Sequence, residues 1–192
     1  MILHNAGKYN GDESTLPQRK HQPNAVQFKE IENMKKLSLI TNVGCILTII
    51  ILAIPFILLA KGYIRDNSIW LALGGICGGL SLPIHELLHA ICYKKDVYYS
   101  NLSQWLVFVI GTEDMSKTRF IFMCLCPNII LGLIPYIIFL IYPNIVFLGL
   151  FGLISIGMGF GDYINVYNAI KQMPKGAKTY LNGMHSYWYI EK

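Results

Sequence analysis

Between Arg119 and Asp162 the chain runs for 42 residues, Phe120 to Gly161, without a charged side chain. A helix crosses a hydrocarbon layer of roughly 30 Å in about 20 residues, so this run is too long for one span. It fits two spans joined by a tight turn, and Tyr142-Pro143-Asn144 is the best place for the break. Span three is expected over Lys117–Ile141 and span four over Ile145–Ile170. Two earlier runs extend the pattern. Leu37 to Ala60 contains 24 uncharged residues, with Pro55 as a tolerated kink, and Ser68 to Cys92 forms span two around Gly74, Gly75, Gly78 and Gly79. Only 14% of residues are charged, against about 25% in a soluble domain, and 54% are hydrophobic.

The fold class that follows is an all-α polytopic membrane protein. It has four transmembrane helices, with a short strand or re-entrant segment between helices two and three as an option. Residues 1–36 form a polar leader, 37–170 the membrane domain and 171–192 a basic tail. Gly7, Gly11, Pro17 and Pro23 predict a loose start to the leader, and Ala25–Lys36 a short surface helix or plain linker. His4, His21 and His185 read as solvated side chains. In the connection 93–118, Leu102–Ile110 is rich in strand formers, and an exposed edge there offers main-chain bonding to an extended peptide. The first apolar run lacks a small-x-small cleavage pattern and reads as a retained span.

Charge sets the orientation. Lys and Arg number six in residues 1–36, four from Lys94 through Arg119 and four from Lys171 onward, against Lys61 and Arg65 on the other side. The positive-inside rule therefore places both termini and the middle connection in the cytoplasm, with the plasma membrane of a prokaryotic cell as the expected location. No basic stripe with base-stacking aromatics is present, so nucleic acid is not an expected partner. The five cysteines, Cys45, Cys77, Cys92, Cys124 and Cys126, lie in or beside apolar runs and read as small hydrophobes rather than a disulfide framework.

The polar residues inside these runs carry the chemistry. His85-Glu86-Leu87-Leu88-His89 is H-E-x-x-H, in which two histidines at i and i+4 share a helix face and can hold one metal. Glu86 is then placed to act as general base. Two histidines and a glutamate in an apolar span are costly unless paired or ligated, so an accidental match is the weaker reading. Asp162, after Gly157, Gly159 and Gly161, is a second polar residue in an apolar run and a candidate third metal ligand. Its plainer role is an interhelical pair. Asn165, nearly a turn further on, and Asn128 are candidates for contact with substrate or for orienting a ligand. Zn2+ suits two imidazoles and one carboxylate, with one coordination position left open. In the expected topology His89 and Asp162 sit at depths that differ by roughly 6 Å, so a shared site is feasible.

HELLH at 85–89 within a span, followed by GDYIN at 161–165, resembles the DUF3267 family of membrane zincin peptidases. The likeness covers most of residues 68–170 and extends more distantly to site-2-protease-like intramembrane metalloproteases. It implies that His85, Glu86, His89 and Asp162 form the active centre. In the site-2 arrangement the aspartate precedes D-G, whereas here Asp162 follows Gly161 and precedes Tyr163. The function expected is that of a zinc metalloprotease acting on membrane-protein segments or membrane-associated peptides. The alternatives are a non-proteolytic metal-binding transporter or regulatory protein, and a metal-dependent hydrolase of a lipid-linked group. Transport needs a polar route, for which spans one and three offer little besides Asn42 and Asn128.

Overall fold

The computed structural model describes residues 2–101 and 107–191. The described chain is mostly helical and divides into two compact units. One comprises Ile31–His85 and Cys126–Tyr163, the other Met1–Glu30, Glu86–Leu125 and Ile164–Lys192.

The first unit is the apolar one. Helix α1 covers Met34–Ala60, capped at its start by the Asn33 side chain, which accepts from the Lys36 N–H. It is long and apolar enough to cross a membrane, as is the helix Lys117–Ile141. The latter comprises α4 (Lys117–Pro127), a π-helical turn (Asn128–Leu133) and α5 (Ile134–Ile141). Pro135 cannot donate to the helical ladder, and the Ile134 N–H reaches back to the Ile129 carbonyl. The two remaining apolar runs are broken helices rather than the continuous spans expected. Helices α2 (Ser68–Gly79) and α3 (Leu82–Ile91) meet at 52°, and α6 (Val146–Met158) and α7 (Phe160–Gln172) at 50°. The first break lies at Leu80-Ser81, where Pro83, in the first turn of α3, has no N–H with which to continue the ladder from α2. The second lies at Gly159.

Helix α6 is the packing centre of this unit, touching α1, α2, α5 and the π-helical turn. Phe56, Ala60, Tyr136, Phe139, Val146 and Leu153 form its core. Small residues let backbones meet: a Cβ on Gly74 would lie 2.6 Å from the Phe147 carbonyl oxygen, and one on Gly152 would lie 2.7 Å from the Tyr136 nitrogen. Of the two spaced glycine pairs in α2, Gly74 and Gly78 are the ones pressed against α6, while Gly79 faces open space. The outward faces are apolar: Ile50, Ile51, Ile54, Ile57 and Leu58 are all exposed. Lipid is the solvent for such a face.

The second unit corrects the expectation of an all-α chain. Its described residues include seven strands, β1 (Ile2–Lys8), β2 (Val26–Gln27), β3 (Asp96–Asn101), β4 (Val107–Ile110), β5 (Met115–Ser116), β6 (Lys178–Asn182) and β7 (His185–Tyr189). They form two sheets, ordered β1-β3-β4 and β2-β7-β6-β5. The N-terminal strand β1 pairs parallel to β3, and β2 pairs antiparallel to β7. The leader is thus tied down by main-chain bonding rather than loose, and strand β2 stands where a surface helix was an option. Of the apolar stretch 102–110, residues 107–110 form β4, while 102–106 lie outside the described residues. Phe28, Ala90, Tyr93, Val97, Met115, Phe120, Met123 and Met173 are among its core residues. Burial pushes the Tyr93 phenol well above the ordinary tyrosine range.

The three histidines expected to be solvated have partners. His4 Nε2 lies 3.0 Å from Asp96 Oδ1, His21 Nδ1 lies 3.1 Å from Tyr180 Oη, and His185 lies between Glu13 and Glu30 at 3.5 and 3.4 Å. Cys124 and Cys126 are buried as small hydrophobes, but Cys77 is exposed.

Candidate metal centre

Helix α3 carries His85, Glu86 and His89. Its first turn is secured by the Ser81 carbonyl, which accepts the His85 N–H at 2.9 Å. One potential ligand atom from each of the three residues lies within 4.8 Å of the others. His85 and His89 are buried, 6% and 9% exposed. Helical spacing alone brings these groups to one side of α3, and burial keeps bulk water from competing with a bound ion.

Each imidazole has one nitrogen whose neighbour sets its role. His89 Nδ1 lies 2.9 Å from the Met123 carbonyl oxygen, which can only accept. This places the proton on Nδ1 and leaves Nε2 as the ring's lone-pair donor, the arrangement by which a backbone carbonyl prepares a metal-binding histidine. His85 Nε2 lies 3.0 Å from Asp162 Oδ2. Two donors about 2.0–2.2 Å from one tetrahedral ion are separated by roughly 3.3–3.6 Å, so this pair is close to the spacing a shared ion requires. The donor set fits a divalent metal.

Asp162 occupies the first turn of α7, just after the break at Gly159, and its side chain is 14% exposed. Asn128, which opens the π-helical turn and is 4% exposed, donates from Nδ2 to Asp162 Oδ2 at 2.8 Å. Of the two asparagines singled out in the sequence, Asn128 is the one hydrogen-bonded to Asp162. Asn165 instead lines a narrow crevice with Phe28, Glu30, Phe120, Asn168 and Ser186.

Two participants escaped the sequence reading. Tyr163 Oη donates toward Asn128 Oδ1 at 3.2 Å, and the Met123 carbonyl holds His89. Tyr163 had a signal, since it adjoins Asp162 in GDYIN; a backbone carbonyl has none.

A family model described as "Putative zincin peptidase", DUF3267, matches residues 78–178. No curated protein and no solved structure matches the chain.

Proposed function

The chain belongs to the DUF3267 family, and on that premise we propose that it is a zinc-dependent membrane endopeptidase cutting a peptide bond in or near the cytoplasmic leaflet. The observation that carries the reading is the His85-Glu86-His89 triad, converged on one helix of a chain with helices long and apolar enough to span a membrane. His85, His89 and Asp162 are the proposed ligands. Two imidazoles and a carboxylate would leave a bound zinc one position for water or substrate, which distinguishes a reactive site from a closed structural one.

When bound, zinc supplies Lewis-acid polarisation of the scissile carbonyl and makes the attacking water more acidic. The protein's own residues do the remainder. Glu86 removes the proton from the attacking water as its oxygen bonds to the carbonyl carbon. It then returns that proton to the departing amine nitrogen as the C–N bond breaks. The Met123 carbonyl holds the His89 ring in one orientation throughout.

Each bent helix pair is taken as one span, which makes four with Met34–Ala60 and Lys117–Ile141. The distribution of Lys and Arg then supports cytoplasmic termini. Substrates of the proposed class are membrane-protein segments or membrane-associated peptides.

Glu86→Gln tests the reading. The variant should retain metal stoichiometry while peptide cleavage falls by about 10²–10⁴-fold, the range for loss of a general base. Cleavage by this variant at the wild-type rate would overturn the assignment.

A further inference from the structure

We infer that Asn128 and Tyr163 form a positioning bracket that aims the Asp162 carboxylate at the metal, and that Gly159 is glycine because the bracket fills its side-chain space. This rests on the proposed metal site and extends it to residues that touch neither substrate nor reacting atoms.

The bracket is a chain of directed bonds. Asn128 Nδ2 donates to Asp162 Oδ2 at 2.8 Å, and that same oxygen lies 3.0 Å from His85 Nε2. A carboxylate rotates easily about its terminal torsion, so a fixed donor is needed to keep one oxygen directed at the His85 side. The amide itself has two opposite ends, and only its N–H end can serve a carboxylate. Tyr163 selects that end: its hydroxyl donates toward Asn128 Oδ1 at 3.2 Å. The single hydroxyl proton is shared with the Ile156 carbonyl at 3.0 Å, which ties the tyrosine to the last turns of α6. Asn128 is nearly fully buried, so this network is shielded from competing water.

Gly159 gives the independent evidence. A Cβ built there would lie 1.5 Å from Asn128 Oδ1, 2.3 Å from Cγ and 2.6 Å from Nδ2. All three atoms belong to the side-chain amide. The backbone φ of Gly159 is −76°, which any residue adopts, so conformational freedom does not explain the glycine. The space is occupied by the amide that holds Asp162. The π-helical turn opens at Asn128 and the α6–α7 break falls at Gly159, so two irregularities meet at this bracket.

The test measures zinc affinity by chelator competition on full-length protein in detergent, together with the visible spectrum of the Co2+ form and peptide cleavage. Asn128→Ala should weaken metal binding about 10–100-fold, the range for lost outer-shell partners, and change the Co2+ spectrum. Cleavage should fall through kcat with KM little changed. Tyr163→Phe should weaken metal binding roughly 2–10-fold, as for one hydrogen bond. Gly159→Ala should reproduce the Asn128→Ala loss in the wild-type background and cost nothing further in Asn128→Ala, because the displaced amide is then absent. A structural role for Gly159 instead gives additive losses. Wild-type metal binding with unchanged affinity and spectrum in all three single variants, or additivity in the double variant, overturns the bracket alone. A wild-type protein that binds no zinc overturns the metal site and the bracket with it. If Asn128→Ala does not fold, Tyr163→Phe decides: an unchanged affinity and Co2+ spectrum overturns the proposal.

Discussion

Glu113 offers a stability test whose size can be worked from its neighbours. Its side chain is 3% exposed. Oε2 accepts the backbone N–H groups of Lys94 and Lys95 at 3.0 and 2.7 Å, and Oε1 meets the Arg119 guanidinium. Arg119 also donates to the Cys92 carbonyl at 2.8 Å, so the two side chains together secure the turn that leaves α3. Glu113→Ala removes two charge-assisted bonds, each about 1.5–3 kcal/mol, and strands a cation. Breaking a fully buried pair costs about 3–5 kcal/mol. Arg119 is 25% exposed and recovers part of its hydration, which moves the expected cost to the low end, about 3 kcal/mol. That corresponds to roughly a 100- to 200-fold larger local opening constant. Hydrogen exchange of the β3 amides in the full-length protein reads this opening directly. Removing Arg119 as well leaves no stranded charge, so Glu113→Ala with Arg119→Ala should cost less than the sum of the single changes by at least about 1 kcal/mol. A change below about 0.5 kcal/mol in Glu113→Ala, or additive losses in the pair, would refute the reasoning.

Three further outcomes follow from the packing and the titrating groups. Gly74→Ala must push α2 away from the Phe147 carbonyl and should destabilise the helical unit by about 1–3 kcal/mol; denaturant titration in mixed micelles at the wild-type midpoint checks it. Tyr136→Phe removes the hydroxyl that donates to the Leu52 carbonyl at 2.6 Å, and the same titration should show a loss of about 0.6 kcal/mol, with about 1.7 as a ceiling. Burial raises the Glu30 carboxyl above its ordinary value of 4.5, against the opposing Ser186 bonds and His185. Its protonated form is therefore favoured in the fold. The resulting stability is fully present below about pH 4.5 and is lost as pH rises through the folded value. The stability of the wild type relative to Glu30→Gln should accordingly fall with rising pH in that window, and a rising or flat difference would contradict the assignment.

How far the site was legible depends on how local its geometry is. His85, Glu86 and His89 are read from spacing because one helix turn sets their proximity, whatever surrounds it. Asp162 stood out because a carboxylate in an apolar run needs a partner, and the structure places His85 Nε2 3.0 Å from it. The helix breaks were only half legible. Pro83 and the glycines marked where ladders weaken, but proline and glycine also occur in continuous spans, and the angles of 52° and 50° depend on what packs around them. The sheets were harder still. β2 and β5 are two residues each, too short for any alternation, and β2 pairs with a strand some 160 residues away. His4, His21 and His185 are exposed or half-exposed, in line with the expectation, but their partners were not legible for the same reason: each lies on a distant segment.

The residue order by itself determined the solvent and the reagent. Uncharged runs of this length are stable only where lipid replaces water, and H-E-x-x-H on a helix converges its side chains through backbone geometry alone. Tertiary structure decided how the reagent is held. Only folding brings Asn128 to Asp162, sets Tyr163 against the amide and leaves the space at Gly159 that the amide fills. Those contacts join segments about 30 residues apart across a π-helical turn and a helix break. Their energies depend on distances of a few tenths of an ångström, which hydropathy and spacing do not encode.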